Sequence, residues 1–70
     1  SVTSFQKMGR NIGQLQRQGD VGRIYLIETP LDRDMAPVFG APRELLVRVP
    51  SRVVERVGGL MPITVHELGR

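Results

Sequence analysis

The sequence predicts an α+β fold: one small domain over residues 1–70, with a three-stranded sheet, an N-terminal amphipathic helix and a short second helix. Three observations carry this. Apolar residues recur at helical spacing near the start, at Phe5, Met8, Ile12 and Leu15. Three later runs, at 23–29, 44–49 and 63–68, are rich in branched apolar residues and bounded by glycine or proline. The length, 70 residues, allows a single domain. With 40% hydrophobic and 24% charged residues, the chain is too apolar to stay disordered.

Residues 4–18 read as a helix. At about 100° per residue, Phe5, Met8, Ile12 and Leu15 share one stripe, and Lys7, Arg10, Gln14 and Arg17 lie opposite. Thr3 or Ser4 can cap its start, and Gly19 can stop it. Gly9 and Gly13 each cost about 0.5–1 kcal/mol relative to alanine. They lie one turn apart beside the stripe, where another backbone can come close.

Residues 23–29 read as a strand, and the unbroken run Ile24–Ile27 predicts burial on both faces, as in a central strand. Residues 30–43 hold Pro30, Pro37, Pro42 and Gly40 beside Asp32-Arg33-Asp34, a pattern that predicts a long Pro-rich loop of the functional kind. Residues 44–49 read as a second strand with Leu45, Val47 and Val49 on one face, ended by Pro50. A short helix follows over 51–57, capped by Ser51 and stopped by Gly58-Gly59, with Val53, Val54, Val57 and Leu60 on one side. Pro62 opens the last strand, Ile63–Leu68.

Residues suited to catalysis are sparse. No cysteine is present, so neither a disulfide nor a thiolate metal site can form. His66 is the single histidine and reads as a half-exposed strand residue opposite Ile63 and Val65. The serines, Ser1, Ser4 and Ser51, sit at terminal or capping positions, so no nucleophile, base and orienting acid come together. Glu28, Asp32 and Asp34 read as a solvated turn neutralised by Arg33, short of the six or more oxygens a divalent ion needs. The glycines spell no phosphate loop. The expectation is a non-enzyme, with no catalytic residue, cofactor or metal.

Binding residues are easier to name. The net charge is +3. Residues 1–23 carry +3, residues 24–34 carry −2 and residues 35–70 carry +2. Lys7, Arg10 and Arg17 therefore form a basic helix face that can steer acidic partners, phosphate included. The aromatics are Phe5, Tyr25 and Phe39, too few for a base-stacking platform once Phe5 joins the core. Val38 and Phe39 sit in an apolar stretch between Pro37 and Pro42. That stretch reads equally as a docking anchor or as the closure of one end of a small core.

Val38-Phe39-Gly40, then Val47-Arg48-Val49-Pro50, Val57-Gly58 and Ile63-Thr64-Val65, resembles the barrel of the Gar-type protein of box H/ACA ribonucleoproteins. The resemblance implies a β-barrel and a structural role on RNA. It covers about half of the chain, departs at Ala41-Pro42 where that family has Gly-Pro, and has a helix where the family begins with strands. No family assignment rests on it.

The functional expectation is a small accessory or regulatory protein that docks on a larger protein or nucleoprotein assembly. A transcription or RNA-processing machine is a suitable host, and a virus-encoded regulator of host RNA polymerase is one example of the class. The partner-binding residues are Lys7, Arg10, Arg17, Val38 and Phe39. The alternatives are direct binding of DNA or RNA, with a homodimer as one form, and a structural subunit of a ribonucleoprotein. No run of 18 apolar residues exists to span a membrane. Ser1-Val2-Thr3-Ser4-Phe5 lacks the features of a signal peptide, which gives a cytoplasmic expectation.

Overall fold

A computed structural model describes residues 3–19 and 21–69. Its elements are α1 (Phe5–Gln18), β1 (Ile24–Glu28), α2 (Leu31–Phe39), α3 (Arg43–Leu46), β2 (Ser51–Val57) and β3 (Ile63–Leu68). The strands form an antiparallel sheet in the order β1-β3-β2. The fold is the α+β arrangement expected, with three helices among the described residues.

α1 forms as its sequence dictates. The Lys7 backbone N–H donates to Ser4 Oγ at 3.1 Å, which satisfies one orphan donor of the first turn. Gly19, at φ 74°, donates its N–H to the carbonyls of Gln16 and Leu15 and ends the helix. Phe5, Met8 and Ile12 pack on the core, while Leu15 is left exposed. Gly9 is buried where α1 crosses α3. A Cβ built there would lie 3.2 Å from Leu45 Cα and 3.4 Å from Arg48 Cδ. Gly13 makes no comparable approach: the nearest atom is Arg17 Nη1 at 3.4 Å.

Four sequence expectations are corrected. β1 is an edge strand rather than the centre. β3 takes the centre, and Tyr25 and Ile27 are exposed. The apolar run of β1 thus serves one packed face and one open face.

Residues 30–43 are not a long loop, because they hold α2 and the start of α3. Two of the three prolines open helices. Pro30 (φ −58°, ψ −23°) and Pro42 (φ −54°, ψ −28°) already have helical dihedrals just before α2 and α3. Proline suits that position, since its fixed φ is helical and its missing N–H would be an orphan anyway.

Residues 44–49 are helix and turn, not strand. Val49 N–H donates to the Leu45 carbonyl at 3.1 Å, one helical turn back. Leu45 and Val49 are each 1% exposed, whereas Val47, which a two-residue period would bury, is 72% exposed. Residues 51–57 are β2, not a helix. The three valines that argued weakly against a helix are at home in a strand. A bulge between Val53 and Glu55 breaks the alternation that would have identified it.

The β-barrel that the Gar-type resemblance implies is not formed by the described residues. Val38-Phe39-Gly40 ends α2 instead of turning into a strand, and a three-stranded open sheet is no barrel.

The core is small. Leu45, Val49 and Leu68 are buried, with Phe5, Met8, Ile12, Ile24, Leu26 and Leu46 packed around them. Cross-strand register places Ile24, Leu26 and Glu28 opposite Leu68, His66 and Thr64 on the helix-covered face. His66 is accordingly buried and not half-exposed, and its Nε2 lies 3.0 Å from Glu28 Oε1. The radius of gyration is 12.4 Å, larger than the roughly 11 Å of a compact globule of this length. Its principal extents, 38 × 28 × 18 Å, describe an elongated body.

Candidate docking surface

α2 starts on reciprocal side-chain bonds. Thr29 N–H donates to Asp32 Oδ2 at 2.7 Å, and Leu31 N–H donates to Thr29 Oγ1 at 3.2 Å. This pairs one donor of the first turn, the Leu31 N–H, and ties down the Thr29 N–H just before the helix, with Asp32 and Asp34 on the favourable side of the helix dipole. The far end stops at Gly40. Its φ of 76° with ψ −176° is a conformation open to glycine, and a Cβ there would collide with the Glu44 carboxylate. That carboxylate accepts the Ala41 N–H at 3.0 Å and so ties the end of α2 to the start of α3.

Helical spacing divides α2 into two faces. Asp32, Ala36 and Phe39 are half-buried. Leu31, Met35 and Val38, spaced four and three, are 56%, 40% and 55% exposed. No residue of α2 is fully buried. An apolar stripe of two turns therefore faces solvent on a helix that gives little to the core.

The expected binding residues are distributed as follows. Val38 lies on the exposed stripe, and Phe39 lies on the other face of α2, half-buried. Lys7, Arg10 and Arg17 are exposed on α1. Arg10 and Arg17 line a shallow depression with Gly9 and Gly13, and Arg48 joins them from the turn after α3. Leu31, Met35 and Arg48 were not anticipated. The available signal was Thr29-Pro30-Leu31-Asp32, a capping oxygen, a first-turn proline and an acid three residues on.

The acidic patch is already engaged in part, Glu28 with His66 and Asp32 with the α2 start. Among the described residues no cluster of three His, Cys, Asp or Glu could hold a metal ion.

The open face of the sheet carries a polar cluster. Glu67 Oε1 accepts from Arg52 Nε at 3.1 Å, and Glu67 Oε2 accepts from the Tyr25 hydroxyl at 3.3 Å. The Glu67 side chain is 5% exposed, while that of Arg52 is 65% exposed. Burial raises its pKa. The Arg52 hydrogen bond and charge, the Tyr25 hydroxyl and the more distant Arg23 outweigh that and hold the carboxyl below the ordinary glutamate range. A depressed folded-state pKa stabilises the fold above the unfolded value of about 4.3. This contribution is lost as pH falls through the folded value. Thermal melts of the native chain and Glu67→Gln should differ most near neutral pH and converge in acid. A difference that persisted unchanged at acid pH would show that Glu67 acts through packing alone.

No protein-family model, no curated protein and no solved structure matches this chain. Among the described residues no helix is long and apolar enough to cross a membrane.

Proposed function

We propose that this is a non-enzymatic accessory protein that docks on a larger assembly by laying α2 into an apolar groove. One observation carries the reading: the Leu31, Met35, Val38 stripe is exposed on a helix held at its start by the Thr29 and Asp32 side chains and ended at Gly40. Such a stripe suits helix-in-groove recognition, in which residues at i, i+4 and i+7 anchor the helix. Pro37 restricts the unbound segment, so less entropy is lost on binding. A transcription or RNA-processing machine, rich in both protein grooves and nucleic acid, fits such a partner, and the cytoplasm remains the expected compartment.

A second reading has its own support. Arg10, Arg17 and Arg48 share one glycine-floored depression with no acidic residue among those lining it. Phosphate contacts of nucleic acid need such donors and little else.

One experiment separates the two. The tagged chain is used to recover its partner from cells, beside Leu31→Glu/Met35→Glu and Arg10→Glu/Arg17→Glu variants, with and without nuclease. The α2 variant should lose the partner by about thirtyfold or more, as expected for anchors worth about 2 kcal/mol. The arginine variant should keep it, and nuclease should not matter. Loss with the arginine variant or with nuclease, and retention with the α2 variant, would replace docking by phosphate binding. Both substitutions alter exposed side chains, so circular dichroism should be unchanged.

A further inference from the structure

β2 is the sheet edge opposite to β1, and every residue in it after Ser51 is exposed. Val53 and Val54 are each 41% exposed. An edge strand presents unpaired N–H and C=O groups to a further strand, and this one holds branched residues and no internal proline, although its charges and its bulge restrict which strand can pair with it. We propose that β2 pairs antiparallel with β2 of a second copy of this chain, joining the two sheets into one of six strands.

The register follows from the ladder and the bulge. Gly69 N–H bonds to the Pro50 carbonyl. Hydrogen-bonded pairs alternate in an antiparallel ladder, so the next is Arg52 with Glu67. Ser51 and Val53 then turn backbone groups outward. Beyond the bulge, Glu55 pairs with Val65 and Val57 with Ile63, and Arg56 faces outward.

In a regular strand Arg52 and Glu55 would lie on opposite faces, being three apart. The bulged Val54 restores them to one face, since Arg52 lies opposite Glu67 and Glu55 opposite Val65 on the open side of the sheet. A two-fold axis passing between Val53 and Val54 then sets Arg52 against Glu55 of the second copy, twice. It also sets Val53 against Val54, and Ser51 against Arg56, each twice. The outward backbone groups of Ser51 and Arg56 meet one another.

Backbone and charge complementarity together select this arrangement over its neighbours, since a two-fold axis at Val53 would set the outward-turned Ser51 against Glu55, whose backbone already pairs with Val65. A two-fold axis at Val54 would oppose Arg52 to Arg56, and one at Glu55 would oppose two glutamates. The bulge selects the occupant. A bulged edge interrupts pairing with an ordinary strand, but a second copy has the same bulge at the same place. Glu67 already holds Arg52 toward the sheet by its Nε, which fixes the arginine before the second carboxylate arrives. The inference does not rest on the α2 reading, since α2 follows the strand at the other edge.

Mixing complementary variants tests the register. Sedimentation equilibrium of the native chain should give twice the 7.8 kDa mass at high concentration. Glu55→Arg and Arg52→Glu should each weaken self-association at least about tenfold, because two attractive cross-strand pairs become repulsive. An equimolar mixture should recover a dimer with one chain of each, because both facing pairs are again opposite in sign. Arg52→Glu also disturbs Glu67 and can unfold, so the native chain provides a second measurement. Amide exchange at Ser51, Val53 and Arg56 should slow as its concentration rises. A native chain that stays monomeric, a Glu55→Arg dimer as tight as the native one, or exchange at these amides independent of concentration would each overturn the proposal. Concentration-dependent protection at β1 instead would place the contact on the opposite edge and overturn it too.

Discussion

Leu45→Ala is expected to lower the folding free energy by about 2–5 kcal/mol, the cost of removing a buried leucine and leaving a cavity. Leu45 is one of two fully buried aliphatic residues among those described, and it meets both α1 and Val49. A chain of this length has a total stability of only about 3.5–10 kcal/mol, so the variant should be extensively unfolded at room temperature or close to it. Urea denaturation should show a much lower midpoint. Val47→Ala, two residues on, should change stability by no more than about 0.5 kcal/mol, because that side chain is in solvent. Equal losses at the two positions would mean that residues 45–49 alternate as a strand.

Gly9→Val is expected to destabilise by about 1–3 kcal/mol through overpacking. The first added carbon would already lie 3.2 Å from Leu45 Cα, a backbone atom that can yield only if α1 lifts away from α3. Valine's somewhat better helix propensity offsets part of the loss but not its sign. Gly13→Ala should do the opposite and stabilise by about 0.5–1 kcal/mol, since its new methyl meets only the end of the flexible Arg17 side chain. Thermal melts of the two variants should therefore shift in opposite directions. A Gly9→Val melt that matched the native chain would remove the close α1–α3 approach.

The contrast between these glycines marks the limit of what the sequence discloses. Both were legible as small residues beside an apolar stripe, and only the path of α3 distinguishes them. α1 was readable in full because capping serine, periodic stripe and terminal glycine agree. β3 was readable because branched residues and a preceding proline agree. β2 was misread as a helix because its bulge removes the two-residue period on which strand recognition depends.

The same limit concealed the candidate site. Pro30, Pro37 and Pro42 read in the sequence as the mark of a long loop, although two of them stand at helix starts. With α2 unrecognised, Leu31 and Met35 had no partner in Val38, and Phe39 was grouped with a residue that belongs to the opposite face. Lys7, Arg10 and Arg17 were placed correctly on the polar side of α1. Arg48 could not be added to them, because its position depends on the turn after α3 and not on any local pattern.

The strand order also governs the sequence of events by which this chain folds. β2 and β3 are joined by a short turn and can zip locally, on the microsecond scale typical of hairpins. β1 has no such neighbour: Ile24 must find Leu68 and Glu28 must find Thr64, with both intervening helices and β2 lying between them in the chain. Closing that loop loses entropy before any ladder bond compensates, so β1 docking is expected to be the slow step. Because β3 is flanked by both other strands, a nascent chain that has emerged only as far as residue 62 contains two strands with no ladder between them. The sheet assembles when residues 63–68 arrive, and until then α1 has only the short α3 segment on which to pack.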